Sequence, residues 1–348
     1  MASQVKTSAW LEWAASLMGA GSRQTYAACL PSNRFYCLLD ELPLHLIPRR
    51  DFELQDWRKQ AERQLIFSPR CSVLRAGTVP EEFKSRSDLL DGFHLESSIA
   101  WVREPTTSAL LPFWLGPRLQ AVIAGMRAGD SVPDSIPAAD QALLAAAGIF
   151  ELQDEAAHPL AEREQLAQEA TKQFFERGYW PIRNLIHPFH IAALRRYYRQ
   201  AIRAGSIRLG DQQSSRRYVA HNESVARFFH HQIANAVAPV AGEAIKPSYV
   251  YLASYLSGAA LKKHIDRAQC EFSVTLCLDF SPEPNLETSW PIHLDTPKGT
   301  VTVYQALGDG LVYRGTEVPH YRSPLAAGHT STSIFFHYVP ADFTGPLD

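Results

Sequence analysis

The sequence predicts an α+β protein whose C-terminal half closes into a β sandwich or barrel with flanking helices. Three features predict this class: short strand-like runs rich in Val, Thr, Tyr and Phe, turn residues between those runs, and two apolar helical segments before them. The helical segments cover 188–205 and 225–241, and the strand-like runs cover 249–255, 272–280, 291–294, 300–305, 310–313 and 332–338. Many short strands at such spacing are typical of sandwiches and closed barrels.

A polar stretch divides the chain into two predicted domains. Residues 151–170 hold many acidic side chains and one proline between two more apolar regions. We therefore expect a mixed N-terminal accessory domain over 1–155 and the barrel domain over 156–348.

Two helical segments are predicted near the end of the accessory domain. Apolar residues recur at helical spacing from Leu119 to Met126, and a second apolar segment runs from Ala138 to Ala147. Two short helices joined by a Gly/Pro turn predict a helix-turn-helix-like unit within 108–150. Its second helix has no Arg or Lys for phosphates or bases, so we expect packing or docking of a partner rather than DNA binding.

The composition of the chain indicates which classes of partner it can bind and in which cellular compartment we expect it. The 348 residues carry a net charge of −2, which gives no long-range attraction for nucleic acid or for a membrane surface. The N-terminus lacks the pattern of a signal peptide, and no apolar run reaches the roughly 18 residues of a membrane helix. The five cysteines form no C-x-x-C pair, as expected of reduced thiols. We expect a cytoplasmic protein, and we leave its assembly open, with a homodimer as one alternative.

Three side chains suggest a metal centre. His264 and Asp266 stand two residues apart, and on an extended strand such residues point the same way. His320 follows later, at the end of another strand-like run. Two histidines and one carboxylate are the facial triad of non-haem Fe(II) oxygenases, which leaves positions of the metal open. An isolated His-x-Asp pair is more often an ordinary surface pair, so its setting matters.

That setting resembles a known family. The segment from Tyr255 through Gly258 and Leu261 to His264-x-Asp266 resembles prolyl-hydroxylase-like and phytanoyl-hydroxylase-like 2-oxoglutarate/Fe(II) oxygenases. The segment 308–315 before His320 is similar to their strand before the distal histidine, and Trp290-Pro-Ile fits an intermediate strand. The resemblance covers roughly 170–345.

The resemblance implies a fold, cofactors and a reaction. The fold is an eight-stranded double-stranded β-helix, also called a jelly-roll or cupin-like barrel. Fe(II) would bind His264, Asp266 and His320, which are also the catalytic residues, and 2-oxoglutarate and O₂ would be cosubstrates. Hydroxylation, desaturation or ring formation would release succinate and CO₂. A carboxylate at position 266 disfavours halogenation, because halide cannot take that coordination site.

One departure from the family concerns the cosubstrate. Relatives place an Arg or Lys about ten residues after the distal histidine, where this chain has Thr330 or Ser331. Arg322 lies two residues after His320, so on a continuing strand it points to the same side, and it is the first candidate to replace the missing basic residue. The alternative is that Arg322 forms a salt bridge at the barrel rim. Further predicted contributors to cosubstrate binding are Tyr255, Ser331 and Ser333.

Substrate contacts are predicted at Arg216, Arg217, Tyr251 and Trp290, where a solvated loop or core aromatics are the competing interpretations. His337 is interpreted as a structural barrel histidine. The expected substrate is a small molecule, an amino-acid unit, or a peptide or carrier-bound group.

Two other functions remain open from sequence. The missing downstream basic residue favours a cupin-type metal dioxygenase that does not use 2-oxoglutarate. The helix-turn-helix-like segment favours a non-catalytic binding or regulatory barrel, although a binding module has no need of three metal ligands.

Overall fold

The computed structural model describes residues 30–31, 33–49, 64–153 and 160–348, with side chains of the long helix at 160 described from residue 167. The helices are α1 (Glu81–Lys84), α2 (Pro117–Val122), α3 (Ala138–Ala146), α4 (Leu160–Arg177), α5 (Pro188–Arg203) and α6 (Ser224–Ala241). The strands are β1 (Leu65–Phe67), β2 (Cys71–Leu74), β3 (Ile99–Arg103), β4 (Leu110–Trp114), β5 (Phe150–Leu152), β6 (Tyr179–Ile182), β7 (Arg208–Leu209), β8 (Arg217–His221), β9 (Ile245–Tyr255), β10 (Leu261–His264), β11 (Phe272–Ser281), β12 (Ile292–Thr296), β13 (Gly299–Val303), β14 (Gly310–Arg314), β15 (His320–Arg322) and β16 (Thr330–Pro340).

The eight strands β9–β16 form the predicted double-stranded β-helix. A large antiparallel sheet has the order β6-β14-β11-β16-β9-β8-β7, and a small one the order β10-β15-β12-β13. From β9 to β16 the chain passes between the two sheets at every step except the β12–β13 hairpin. This alternation is the jelly-roll arrangement, so the predicted fold of the C-terminal half is confirmed. Strands β6, β8 and β7 extend the large sheet at its edges.

Helix α6 backs the large sheet and carries much of the core. It packs against β9 and α4, and Gly242, in a left-handed conformation, caps its C-terminal end. Phe228 on α6 is fully buried and contacts the aromatic rings of Phe83, Phe93 and Trp101 from the first half of the chain. One continuous set of buried apolar residues therefore includes side chains from both halves.

The first half contains small sheets rather than the helical unit that we predicted. Strands β2, β3 and β4 form an antiparallel sheet, and β1 pairs with β5. The helix expected over 119–126 ends at Val122, and residues 123–137 separate it from α3. A helix-turn-helix needs a turn of about three or four residues. The helix-turn-helix-like prediction for 108–150 is therefore wrong, because Gly and Pro residues break that stretch into loops. The domain boundary predicted at 155/156 lies outside the described residues.

Two expectations from composition can be compared with the described residues. Cys37, Cys71, Cys270 and Cys277 are buried free thiols. None of the described helices combines the length and the apolar character that crossing a bilayer requires.

A buried arginine joins α5 to the large sheet and to the N-terminal segment. Arg195 is 0% exposed and donates to Asp279 Oδ1 at 2.9 Å, to Glu283 Oε2 at 2.5 Å and to the Leu46 carbonyl at 2.6 Å. We expect Arg195→Ala to lower the free energy of unfolding by about 2–3 kcal/mol, because it removes a fully buried side chain and leaves the Leu46 carbonyl without its donor, while Asp279 keeps its pair with Arg199. Urea denaturation measures this loss.

The matched control is Arg203→Ala, at the exposed end of the same helix. Its cost should stay within about 0.5 kcal/mol. Equal losses for the two variants would contradict a special role for Arg195.

Candidate metal centre

Strand pairing brings the predicted triad together. Strand β10 ends at His264 and β15 begins at His320, and these two residues are direct cross-strand partners. Their ring centroids lie 4.3 Å apart. Asp266 follows just beyond β10, where its backbone N–H donates to the Gly315 carbonyl at 2.8 Å. Two strands and one anchored turn therefore aim three side chains at one point.

The distances suit one shared ion. The Nε2 atoms of His264 and His320 each lie 3.6 Å from Asp266 Oδ1. One ligand atom from each of the three residues lies within 4.8 Å of the others. Nitrogen and oxygen ligands bind a metal ion at about 2.0–2.2 Å, so atoms at such separations can share one.

Both imidazoles are oriented by backbone carbonyls. His264 Nδ1 lies 2.8 Å from the Lys262 carbonyl and His320 Nδ1 lies 3.0 Å from the Val318 carbonyl. A carbonyl only accepts, so each Nδ1 donates to it and each Nε2 faces the metal position, where His320 Nε2 also lies 3.4 Å from the Tyr313 hydroxyl. Burial lowers the pKa of His320, which favours the neutral form that ligation needs.

A glycine makes room for the carboxylate. A Cβ built on Gly315 would lie 2.5 Å from Asp266 Oδ2, 2.5 Å from Ser273 Oγ and 2.3 Å from the Cys270 carbonyl. Any side chain at this position would collide with the carboxylate or its support. The space beside Gly315 thus fits Asp266 in its present orientation.

A cavity of about 870 Å³ opens in front of the triad. Its walls come from β7–β10 and β14–β16, and its lining includes Arg208, Asp211, Arg217, His221, Tyr249, Tyr251, Tyr255, His264, Ile265, Asp266, Arg267, Tyr313, His320, Phe335 and His337. Of the predicted substrate residues, Arg217 and Tyr251 lie in this wall, as does Tyr255.

The loop between β7 and β8 is bonded to this wall. Asp211 Oδ2 accepts from Arg217 at 2.5 Å and from the Tyr251 hydroxyl at 2.6 Å. Burial alone would raise the pKa of Asp211, but these hydrogen bonds lower it to about 2. The Arg217 guanidinium therefore already has an anionic partner, and it also lies 3.3 Å from the Tyr255 hydroxyl.

Arg322 lies inside the barrel. It is 5% exposed, and it donates to the Trp290 carbonyl at 2.6 Å and to Gln305 Oε1 at 3.3 Å. Its buried Nε has no partner, and no described carboxylate comes within 4.0 Å of its guanidinium. Burial lowers the pKa of Arg322. This placement differs from the rim salt bridge that was the alternative interpretation.

The remaining residues that we predicted for cosubstrate or substrate binding do not line the cavity. Ser331 and Ser333 are buried on β16, on the same alternating face as Phe335 and His337 but outside the cavity lining. Trp290 is buried under Arg322, with 4.8 Å between its ring and the guanidinium. Arg216 is exposed and donates to the Ser257 carbonyl at 3.0 Å, away from the lining residues.

Sequence reasoning missed the support of the carboxylate. Ser273 Oγ donates to Asp266 Oδ2 at 2.6 Å and lies 2.9 Å from His337 Nδ1. Ser273 and His337 are cross-strand partners on β11 and β16. That register could not be deduced from the sequence, and His337 had been assigned a structural role alone.

Comparisons with known proteins add a structural resemblance. No family model and no curated protein matches the chain. The epimerase SnoN from nogalamycin biosynthesis matches with a TM-score of 0.42 and 12% identity, over 51% of this chain and 83% of that one. A Pseudomonas putida prolyl-4-hydroxylase matches with a TM-score of 0.41 and 14% identity, over 50% of this chain and 98% of that one. HygX from Streptomyces hygroscopicus, with nickel and 2-oxoglutarate bound, matches with a TM-score of 0.40 and 11% identity, over 51% of this chain and 88% of that one.

About half of the chain is similar in fold to these solved structures. At these identities and scores the resemblance is a likeness of overall shape over about half of the chain. What the site does is therefore argued from its own residues.

Proposed function

We propose that the protein is a non-haem Fe(II) and 2-oxoglutarate-dependent oxygenase. Its substrate would be a small molecule, an amino-acid unit, or a peptide or carrier-bound group, which it would hydroxylate, desaturate or cyclise. The observation that carries the proposal is the convergence of His264, Asp266 and His320 beside a cavity, with the buried Arg322, whose acceptors are neutral, inside the same barrel.

The ligand set suits ferrous iron. Two imidazoles and one carboxylate on one side of an ion would leave the opposite side open, which is the arrangement of non-haem Fe(II) oxygenases. When bound, Fe(II) with 2-oxoglutarate and O₂ supplies oxidation of a substrate, with release of succinate and CO₂. His264, Asp266 and His320 would hold the ion, and their fixed orientation fits that role.

Arg322 supports the use of 2-oxoglutarate. A buried charge is costly unless it is paired, and the described residues give this guanidinium two neutral acceptors and no acid. Arg322 stands two residues after His320 on β15, about 7 Å along the strand. A five-carbon dicarboxylate with one end at the metal can direct its other carboxylate toward such a cation. The charge-assisted hydrogen bonds would then be among the stronger contacts to the cosubstrate.

The cavity wall would orient the substrate. Tyr251 and Phe335 offer aromatic surface, while Arg208 and Arg267 offer cationic groups at the wall. The bonds of Asp211 to Arg217 and Tyr251 hold the β7–β8 loop against the barrel, so this side of the cavity is preformed. A preformed wall lowers the entropy lost on substrate binding.

An anaerobic titration tests the proposal. Fe(II) followed by 2-oxoglutarate should produce the weak visible absorption band of the chelate, and O₂ should then yield succinate. Arg322→Gln should weaken the apparent 2-oxoglutarate affinity about 10–100-fold, the loss expected for hydrogen bonds to a charged group.

Two further variants complete this test. Arg322→Lys, which keeps the charge, should lose less affinity than Arg322→Gln, and the exposed Arg216→Gln should behave as wild type. Binding of Co(II) alone verifies that each variant keeps the metal centre. Metal binding without a chelate band in the wild-type protein would favour a cupin-type dioxygenase instead, and failure to bind any metal would favour a non-catalytic barrel.

A further inference from the structure

The two oxygens of the Asp266 carboxylate have different surroundings. Oδ1 faces the Nε2 atoms of His264 and His320, each at 3.6 Å. Oδ2 turns away from them and accepts a hydrogen bond from Ser273 Oγ at 2.6 Å. One oxygen is thus directed at the metal position, and the other is held by the protein.

A chain of hydrogen bonds continues behind Ser273. A serine hydroxyl has one proton, and the Asp266 carboxylate and, at 3.2 Å, the Cys270 carbonyl can only accept, so Ser273 must accept from His337. His337 Nδ1 lies 2.9 Å from Ser273 Oγ. The hydrogen-bond geometry therefore places a proton on His337 Nδ1.

Packing fixes both members of this chain. Ser273 is 0% exposed and pairs with His337 across β11 and β16. The ring of His337 lies against Tyr249, with centroids 4.6 Å apart. The missing Cβ of Gly315 leaves the space in which the carboxylate and the hydroxyl meet. The sheet register therefore sets the rotation of the carboxylate.

We infer that Ser273 and His337 are positioning residues that restrict Asp266 to one metal–oxygen contact. This inference rests on the proposed metal centre. A carboxylate whose second oxygen is already hydrogen-bonded does not chelate an ion with both oxygens. Three positions of a six-coordinate metal then stay open, enough for a bidentate 2-oxo acid and O₂.

Cobalt(II) alone, added to the full chain without 2-oxoglutarate, tests the inference. Ser273→Ala frees Oδ2, and the carboxylate can then rotate and bind through both oxygens. We expect Co(II) affinity to fall by about 10–100-fold, the usual cost of removing a hydrogen bond that orients a metal ligand. We also expect the visible d–d absorption of the bound ion to change, because the coordination number changes.

The Co(II) affinity of a double variant tests whether Ser273 and His337 act through one chain of hydrogen bonds or only through general loss of structure. If Ser273 and His337 act through one chain of bonds, the double variant Ser273→Ala/His337→Leu should lose little more Co(II) affinity than Ser273→Ala alone. Ser254→Ala is the matched control, since Ser254 is a buried serine of the same sheet that bonds Thr332. Its Co(II) spectrum and affinity should equal those of wild type.

The outcomes distinguish this inference from the proposed function. An unchanged affinity and spectrum in Ser273→Ala would overturn the role of Ser273, and additive losses in the double variant would overturn that of His337. Failure of the wild-type protein to bind Co(II) would overturn the metal centre and this inference together. Binding of Co(II) without a later 2-oxoglutarate chelate would reject the proposed cosubstrate alone.

Discussion

Replacing Asp266 with alanine is expected to abolish metal binding at the barrel mouth. The change removes the carboxylate of the three-residue ligand set and leaves the two imidazoles. The lost carboxylate contributes both a metal–oxygen contact and the negative charge that compensates the cation. We expect the dissociation constant for Co(II) or Fe(II) to rise at least 100-fold, a loss larger than that of a supporting hydrogen bond. Equilibrium dialysis with metal analysis measures it.

His320→Ala should have an effect of the same order. His320 is buried and its Nε2 lies 3.6 Å from Asp266 Oδ1, so its removal leaves the cluster with two ligands. The control is His293→Ala on the small sheet, where His293 Nδ1 lies 3.0 Å from the exposed Thr302 hydroxyl. If His320→Ala and His293→Ala bound Co(II) equally well, these imidazoles would not form the metal centre.

Gly315→Ala is expected to damage the same centre without removing a ligand. Its Cβ would come within 2.3–2.5 Å of the Cys270 carbonyl, Asp266 Oδ2 and Ser273 Oγ, closer than real contacts allow. Either the carboxylate or the backbone must shift. We expect a loss of about 1–3 kcal/mol in the free energy of unfolding, as for other overpacked sites. Metal affinity should also fall by at least tenfold, because the ligand is displaced.

Gly328→Ala is the control for this substitution. Gly328 precedes β16 with φ +77° and has no heavy atom within 4 Å of a built Cβ. Its strain should cost on the order of 1 kcal/mol, while Co(II) binding stays unchanged. Metal affinity in Gly315→Ala equal to that of Gly328→Ala would show that the space beside Asp266 is not needed.

The barrel and the triad were predictable because their signals are local. Alternating apolar residues and turn residues marked the strands, and the observed β11 (Phe272–Ser281) and β14 (Gly310–Arg314) differ from the expected runs by one residue each. His264 and Asp266 are near neighbours in the chain, although Asp266 lies just past the end of β10 and His320 opens β15 rather than ending the run that begins at Gly310, as the sequence had suggested. Strand direction was enough to suggest that they converge.

What could not be predicted depends on register and on long-range packing. Ser273 and His337 meet because β11 pairs with β16 in one alignment, and a one-residue slip would point them to opposite faces. The failed helix-turn-helix prediction has another cause. The apolar residues near Leu119 and Leu144 are buried in a core that also includes distant helices, so their spacing reflected burial rather than a two-helix motif.

The aromatic contacts of Phe228 have a consequence for variants far from the metal. Phe83, Phe93 and Trp101 cover a helix that supports the large sheet, and so they help to keep water from the back of the barrel. Truncating these rings would raise the fraction of unfolded chains, while each molecule that still folds would retain its triad. Such changes would alter the amount of functional protein in a cell rather than its turnover rate.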